Sequence, residues 1–222
     1  MQTLSELRKG IYENPDLPMC SSLPLYVIVE SNPRPENPNA ARFGYLESNG
    51  AEGIMLFVSP VDAVIKCREF NKEGGHFGVS PFESYDPRRT IRSQDGWLSM
   101  YIFYGFAAHG NKLILNEDGY LSGLSYPLHH RFKVEDVEEH IHLEFHQHIS
   151  DWLDRVHRAV GLPDYPSLVY EQAKSSMAEL EIIASTALQI AEYTEPDERK
   201  PVQCAIYDPV ESQWCFADYD TI

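Results

Sequence analysis

The residues best suited to chemistry lie together in the eleven-residue segment 138–148, which reads EEHIHLEFHQH. Imidazole nitrogens and carboxylate oxygens are ligands that zinc hydrolases use, so four histidines and three glutamates in one segment suggest a metal centre. The spacing differs from the zincin pattern HExxH, because the glutamate of HLEFH follows the first histidine by two residues. A metal-dependent hydrolase that uses residues 138–148 is therefore the alternative hypothesis.

A long helix is predicted to carry this segment. Apolar side chains recur every three or four residues, which favours about seven helical turns with one apolar face. They are Val134, Val137, Ile141, Phe145, Ile149, Trp152 and Val156. On such a helix His142, His146 and Glu139 share the polar flank and form the candidate metal site. His148 falls within the apolar stripe, one turn after Glu144 at its edge.

Three interpretations of the histidines stay open. The pair His142 and His146 could bind zinc or nickel weakly with a third ligand. Alternatively, His148 is a buried histidine that is either tolerated in the core or paired with Glu144, and the other histidines are surface residues. The cluster could also respond to pH, because histidines that gain charge together near about pH 6 would weaken attraction to a basic partner. Only one helix offers an ExxH motif, so a di-iron bundle is not predicted and no cofactor is expected.

The acidic residues are concentrated towards the C-terminus. The chain carries 34 acidic and 18 basic residues, a formal net charge of -16. Residues 1–134 hold 15 acids and 13 bases, whereas residues 135–222 hold 19 acids and 5 bases. Such a surface repels nucleic acid and anionic lipid and attracts a basic protein. The acids either form a docking surface or merely solvate two helices and a tail.

The contacts predicted for a basic partner are acidic side chains of this half and two aromatic anchors near them. The acids are Glu135, Asp136, Glu138 and Glu139 on the first long helix, Glu179 and Glu181 on the second, and Asp218 and Asp220 in the tail. The anchors are Trp214 and Tyr219.

The first half of the chain is predicted to be rich in strands. A capping box at residues 3–6 starts a short helix, and the apolar run 25–29 indicates a buried strand. The dipeptide Asn-Gly at 49–50 is typical of a two-residue hairpin turn, and Ser-Pro at 59–60 is typical of a helix start. The aromatic run 97–108 fits either a long strand or a buried helix, because its period does not distinguish them.

The second half is predicted to contain a second long helix, at residues 167–190 with Ser167 as its N-cap, and then a hairpin in VQCAIYD and QWCFADY. The fold class is therefore α+β: a mixed or antiparallel sheet with a crossover helix, followed by two long helices and a C-terminal β-hairpin. A single domain, 1–222, is expected, with a strand-rich part at 1–127 and a helical part plus hairpin at 128–222.

The cysteines and the N-terminus favour a cytoplasmic protein. The four cysteines are scattered without a CxxC pair, which predicts reduced thiols, with a bridge between Cys204 and Cys215 as the alternative. The first twenty residues lack the apolar segment of a secretory signal. No apolar run approaches the roughly 18 residues of a membrane-spanning helix. Neither a membrane nor nucleic acid is expected as a partner.

Residues 23–124 resemble the N-terminal domain of SseB-like proteins. The order of elements is similar: a strand in LPLYVIV, then GIMLFVSPVDAVIKC, then YGFAAHGNKLILNEDG. LFVS matches the family's strand that ends in Ser or Thr and leads into a helix, and LILN matches its later strand that ends in Asn. Glu117 stands where the family usually has proline, and the insertion at 80–96 is long. The resemblance implies a non-enzymatic interaction domain related to bacterial secretion.

The leading hypothesis is therefore an acidic, non-enzymatic protein-binding module. More specifically, it is an immunity protein that neutralises a secreted bacterial toxin, because small acidic cytoplasmic proteins of this type are common among immunity proteins. The sequence does not indicate an oligomeric state.

Overall fold

The structure is a computed structural model that describes residues 2–13, 19–30, 45–48, 51–72, 74–133, 141–195 and 202–222. The predicted Asn-Gly turn at 49–50 lies outside these residues. Six helices are described: α1 (Leu4–Tyr12), α2 (Pro60–Lys72), α3 (Arg88–Ser93), α4 (Gln147–Ala159), α5 (Tyr165–Ala173) and α6 (Met177–Ile190). The strands are β1 (Met19–Ser21), β2 (Tyr26–Glu30), β3 (Tyr45–Ser48), β4 (Ala51–Phe57), β5 (Phe77–Pro81), β6 (Trp97–His109), β7 (Lys112–Ile114), β8 (Gly123–Arg131), β9 (Ile141–Leu143), β10 (Tyr193–Thr194), β11 (Gln203–Asp208) and β12 (Gln213–Asp218).

The longest strand, β6, lies at the centre of a ten-stranded mixed sheet. One edge of β6 pairs in parallel with β4 over residues 100–103 and then antiparallel with β11 over residues 106–108. The other edge pairs with β8 and, at its end, with β7. The parallel β4–β6 pair needs a crossover connection, which begins with α2. The predicted α+β class, with its mixed sheet, crossover helix and C-terminal hairpin, is confirmed.

Both faces of the sheet are covered, since alternate residues of one strand belong to different cores. In β4, Met55 and Phe57 pack into one core, and Ile54 and Leu56 pack into the other. The first core includes side chains of α2, α5 and α6, whereas the second includes α3, β9 and the first turns of α4. Coverage on both faces explains why these strands appear in the sequence as unbroken apolar runs rather than as an alternating pattern.

The run 97–108 is a strand rather than a helix. One glycine in it, Gly105, allows the neighbouring strand β11 to lie close to its backbone. An added Cβ at Gly105 would lie 2.9 Å from the carbonyl oxygen of Ala205 and 2.9 Å from Sγ of Cys204, both on β11. These distances are shorter than side-chain contacts allow, so glycine is needed for β11 to approach β6. The end of β6 therefore receives the C-terminal hairpin just beyond the point where β4 stops.

We expect Gly105→Ala to destabilise the fold by about 1–3 kcal/mol, because a backbone oxygen cannot move aside without shifting β11. The matched control is Gly10→Ala on α1, where an added Cβ has no atom within 4 Å. Alanine favours helix, so the control should stabilise the protein by up to about 1 kcal/mol. Chemical denaturation of both variants measures the difference. A Gly105→Ala protein as stable as the wild type would contradict the β6–β11 pairing.

The prediction of one long helix through residues 134–156 is wrong. Residues 134–140 lie outside the described residues, Ile141–Leu143 is strand β9, and α4 begins only at Gln147. β9 pairs in parallel with β1, with Ile141 opposite Met19. The buried residues Ile141 and Leu143 alternate with exposed neighbours, which is the period of a strand. The helical spacing arose because Ile141, the first residue of the strand, happens to be in step with the apolar residues of α4.

The second predicted helix is in fact two helices, α5 and α6, separated by residues 174–176. Ser176 caps α6: its hydroxyl accepts from the backbone N–H of Glu179, and the Glu179 carboxylate accepts from the backbone N–H of Ser176. This S-x-x-E capping box was visible in the sequence and marks a helix start. Strand β8 also continues through Pro127 to Arg131, so the strand-rich part extends past residue 127.

Candidate functional site

The histidine cluster is not arranged as the sequence suggested. His142 is an exposed residue of β9, and His146 immediately precedes α4. His148 is exposed, as is Glu144, so the prediction of a buried His148 within an apolar stripe is wrong. The physical reason is that Ile141 and the apolar residues in the first turns of α4 are the ones that pack into the core. The histidines between them are therefore left exposed.

The residues of the candidate metal site do not lie on one continuous helix. The change from strand to helix between His142 and His146 removes the one-turn spacing that was to bring their rings together. The ring centroids of His146 and His148 lie 5.4 Å apart. Within the described ranges, no three His, Cys, Asp or Glu side chains are placed to hold a metal ion. Glu139, the third candidate ligand, lies outside those ranges.

The acids predicted as contacts lie on different elements. Glu135, Asp136, Glu138 and Glu139 fall outside the described residues. Glu179 is exposed and belongs to the capping box, and its bonds to the backbone N–H and hydroxyl of Ser176 hold its pKa below the usual value. Glu181 is half-exposed and pairs with Arg68 of α2, with Nε and Oε2 3.3 Å apart. Asp218 and Asp220 are exposed at the C-terminal end.

The predicted aromatic anchors hold the hairpin in place. Trp214 is half-buried, and its indole N–H donates to the carbonyl oxygen of Ala187 on α6 at 2.9 Å. Its ring packs edge-on against Phe106. Tyr219 is also half-buried, and burial raises the pKa of its hydroxyl, an oxygen shielded from solvent. Both side chains are therefore occupied by intramolecular packing, and their role as partner contacts stays a prediction.

Other apolar side chains are better exposed in the acid-rich region. Eight large apolar residues are exposed in the described part of the chain, and six of them lie at residues 170–210. These six are Tyr170, Ile182, Ile190, Tyr193, Val202 and Val210. Ile182 is 66% exposed on the outward face of α6, one turn after Glu179. Ile182 was not among the predicted contacts, because the anchors were sought among aromatic side chains.

A buried polar cluster lies at the start of α2, where β4 ends. Ser59 is fully buried, and its hydroxyl donates to Oε1 of Gln172 on α5 while accepting from the backbone N–H of Asp62. The Asp62 side chain is buried, and one of its carboxylate oxygens has no hydrogen-bond partner among the described residues. Burial raises the pKa of this carboxyl to about 7. Asp62 is therefore largely protonated at mildly acidic pH.

Tyr165 of α5 extends this cluster towards β11. Burial raises the pKa of its hydroxyl well above the usual value, the nearby carboxylate of Asp62 adds to the effect, and the hydroxyl of Ser59 opposes it. Cys204 and Asp208 of β11 are close enough to contribute as well. The cluster therefore joins α2, α5 and the hairpin strand across the first core.

The thiols of this region are not suited to act as nucleophiles. Cys67, Cys204 and Cys215 are free thiols. Burial raises the pKa of Cys67 and of Cys204 to about 12, so both stay protonated at neutral pH. Because a thiolate is the reactive form of cysteine, these two residues serve as packing groups.

No protein-family model, curated protein or solved structure matches this chain. The resemblance to SseB-like proteins stays a prediction that rests on the sequence alone. In the described ranges, no helix is both long enough and apolar enough to cross a membrane.

Proposed function

We propose that this chain is a non-enzymatic binding protein whose acid-rich C-terminal region docks a basic protein. The observation that carries the proposal is that exposed acids and exposed large apolar side chains occur in the same region. Acids attract and orient a basic partner, and apolar side chains provide the contact area that gives affinity.

The charge of this region is one-sided at the surface. Over residues 141–195 and 202–222, twelve acids are exposed or half-exposed against three bases. The acids are Glu144, Asp151, Asp154, Asp164, Glu171, Glu179, Glu181, Glu192, Glu195, Glu211, Asp218 and Asp220, and the bases are Arg155, Arg158 and Lys174. One of these bases, Lys174, is already paired with Glu171 at 2.6 Å. Two of the acids are paired with bases of the first half, Glu181 with Arg68 and Glu192 with Lys112, so the remaining acids are the excess charge that a basic partner meets.

The outward face of α6 is the docking face in this proposal. Ile182 is its apolar anchor, flanked one turn earlier by the exposed Glu179. The other side of the helix is occupied, because Leu180 and Ala184 lie in the core and Glu181 faces Arg68 of α2. An exposed isoleucine beside an acid matches a partner that presents an apolar pocket rimmed by lysine or arginine.

Among basic partners, a secreted bacterial toxin suits the chain best, which would make this protein a cytoplasmic immunity protein. The support is the acidic surface, the sequence resemblance to SseB-like proteins and the inert thiols of Cys67 and Cys204. Because immunity genes usually lie beside toxin genes, the product of the adjacent gene is the partner to test.

We expect co-expression of this chain to relieve the toxicity of the adjacent gene's product, and Ile182→Ser to weaken their affinity by at least about tenfold. Val210→Ser is the matched control, because Val210 is 68% exposed but lies at the tip of the C-terminal hairpin. Both variants should keep wild-type thermal stability. A change in affinity, measured by calorimetry, then reports the loss of a binding contact. Equal affinity in all three proteins would overturn α6 as the docking face.

A further inference from the structure

A groove with a volume of about 770 Å³ lies between α2, α6 and the segment 115–121. Its apolar lining consists of the buried side chains of Ile65 and Leu121 and the partly buried side chains of Leu115 and Leu188. Charged and polar side chains complete the lining, which is open to solvent. A volume between about 300 and 1,000 Å³, with apolar side chains and a few polar groups, is typical of a site for a small molecule.

The two acids of the lining are each matched by a base. The carboxylate of Glu69 pairs with the ammonium of Lys66 and accepts from the backbone N–H of Leu121 at 2.7 Å. Glu181 of α6 pairs with Arg68 of α2, with Oε2 and Nε 3.3 Å apart. Both carboxylates are therefore already compensated when the groove is empty.

The bases of the lining are not fully used. Lys72 follows Arg68 by one turn on α2, so both side chains lie on the same side of the helix and line the groove. Lys72 is exposed and makes no hydrogen bond or ion pair with any other described residue. The ion pair of Arg68 uses Nε, which leaves its two Nη nitrogens for a ligand. The groove thus offers an uncompensated positive charge in a chain with a net charge of -16.

We propose that this groove binds a small organic carboxylate with an apolar body. The carboxylate pairs with Lys72 and the Nη nitrogens of Arg68, and the apolar body covers Ile65, Leu121 and Leu188. The planar guanidinium matches a carboxylate in geometry, and bonds between two charged groups are stronger than those between neutral ones. Such a site is separate from the proposed docking face, since Ile182 is not part of the lining.

The experiment compares phenylbutyrate with its amide and with the corresponding amine, which share one apolar body and differ in charge. Calorimetric titration of the full chain at low salt gives the three affinities. We expect the carboxylate to bind at least about fivefold more tightly than the amide, and the amine to bind most weakly. Butyrate, which lacks the ring, should bind more weakly than phenylbutyrate because it covers less apolar surface.

Two variants locate the bound carboxylate. Lys72→Gln should reduce the preference for phenylbutyrate over its amide, because one of its two cationic partners is removed. The matched control is Lys9→Gln on α1, an exposed lysine outside the groove, which should keep the wild-type preference. Both lysines are exposed, so both variants should fold as the wild type does.

Three results would overturn the proposal. Equal affinity of the wild type for the carboxylate and the amide, or no binding of either, would show that the groove does not recognise a carboxylate. Tightest binding of the amine would show that Glu181 and Glu69 determine the preference instead. A preference for phenylbutyrate that Lys72→Gln and Lys9→Gln retain equally would place the carboxylate outside this groove.

Discussion

Replacing Arg8 by methionine is expected to lower the free energy of unfolding by about 3–5 kcal/mol, the usual cost of leaving one partner of a buried ion pair uncompensated. The guanidinium of Arg8 bonds the carboxylate of Glu83 at 3.2 Å and the carbonyl oxygen of Leu25 at 2.7 Å. The side chain of Glu83 has no solvent exposure, and its second oxygen accepts from the hydroxyl of Tyr12 at 2.9 Å. These bonds connect α1 to the residue before β2 and to the turn after β5.

The matched control is Lys9→Met on the same helix. Lys9 pairs with Glu13 at 3.7 Å, but both side chains are mostly exposed, so its loss should cost under about 1 kcal/mol. Adding Glu83→Gln to Arg8→Met should recover part of the loss, because the uncompensated charge is then removed. Urea denaturation measures all three variants. Equal losses for Arg8→Met and Lys9→Met would show that the Arg8–Glu83 pair is not buried.

The second large effect concerns the pH dependence of stability, to which Asp62 and His157 contribute in opposite directions. Asp62 has its pKa raised from 3.8 to about 7, so between these values the folded protein holds a proton that the unfolded chain releases. Its contribution to stability is therefore present below about pH 4 and lost as the pH rises towards 7. His157 has its pKa lowered from 6.5 to about 4, so the unfolded chain binds the extra proton. Its effect is reversed, and stability rises with pH across about 4 to 6.5.

Each effect amounts to about 3–5 kcal/mol over its window, since one pKa unit corresponds to about 1.4 kcal/mol. In the wild type they nearly cancel. We therefore expect the stability of His157→Phe to fall between about pH 4.5 and 6.5 relative to the wild type, and that of Asp62→Asn to rise over the same interval. His148→Phe, at an exposed position, should follow the wild type.

Urea denaturation of the four proteins at several pH values measures the difference in stability between each variant and the wild type. The effect of the surface carboxylates is common to all four proteins and cancels in these differences. If both variants changed with pH in the same direction relative to the wild type, the assignment of either group as buried and unpaired would be wrong.

Local signals in the sequence predicted a large part of the fold. The capping box of Thr3 and Glu6, the Ser-Pro start of α2 and the hairpin of β11 and β12 depend on residues close together in the chain. Strand β9 could not be predicted in this way, because its pairing with β1 joins residues about 120 positions apart. Without that partner, the apolar spacing of residues 141–156 fits a helix equally well.

The buried polar cluster was hidden from the sequence for a similar reason. Asp62, Tyr165 and Cys204 are distant in the chain and meet only because α2, α5 and β11 pack together. His157 gave no local signal either, since a buried histidine on an amphipathic helix cannot be told from an exposed one until the residues that pack against it are known. The exposed acids, by contrast, follow directly from composition, which is why the docking proposal could be made from the sequence.

The most direct test of docking through the acid-rich surface is the association rate constant with the adjacent gene's product, measured by stopped flow from about 50 mM to about 1 M salt, where the Debye length falls to about 3 Å. We predict a fall of at least about tenfold for the wild type. Asp218→Lys combined with Asp220→Lys should associate more slowly at low salt, with a weaker salt dependence. A rate that is independent of salt and of these two substitutions, but is lost on changing Arg88, Arg89 and Arg92, would contradict the account and place the docking face in the N-terminal half.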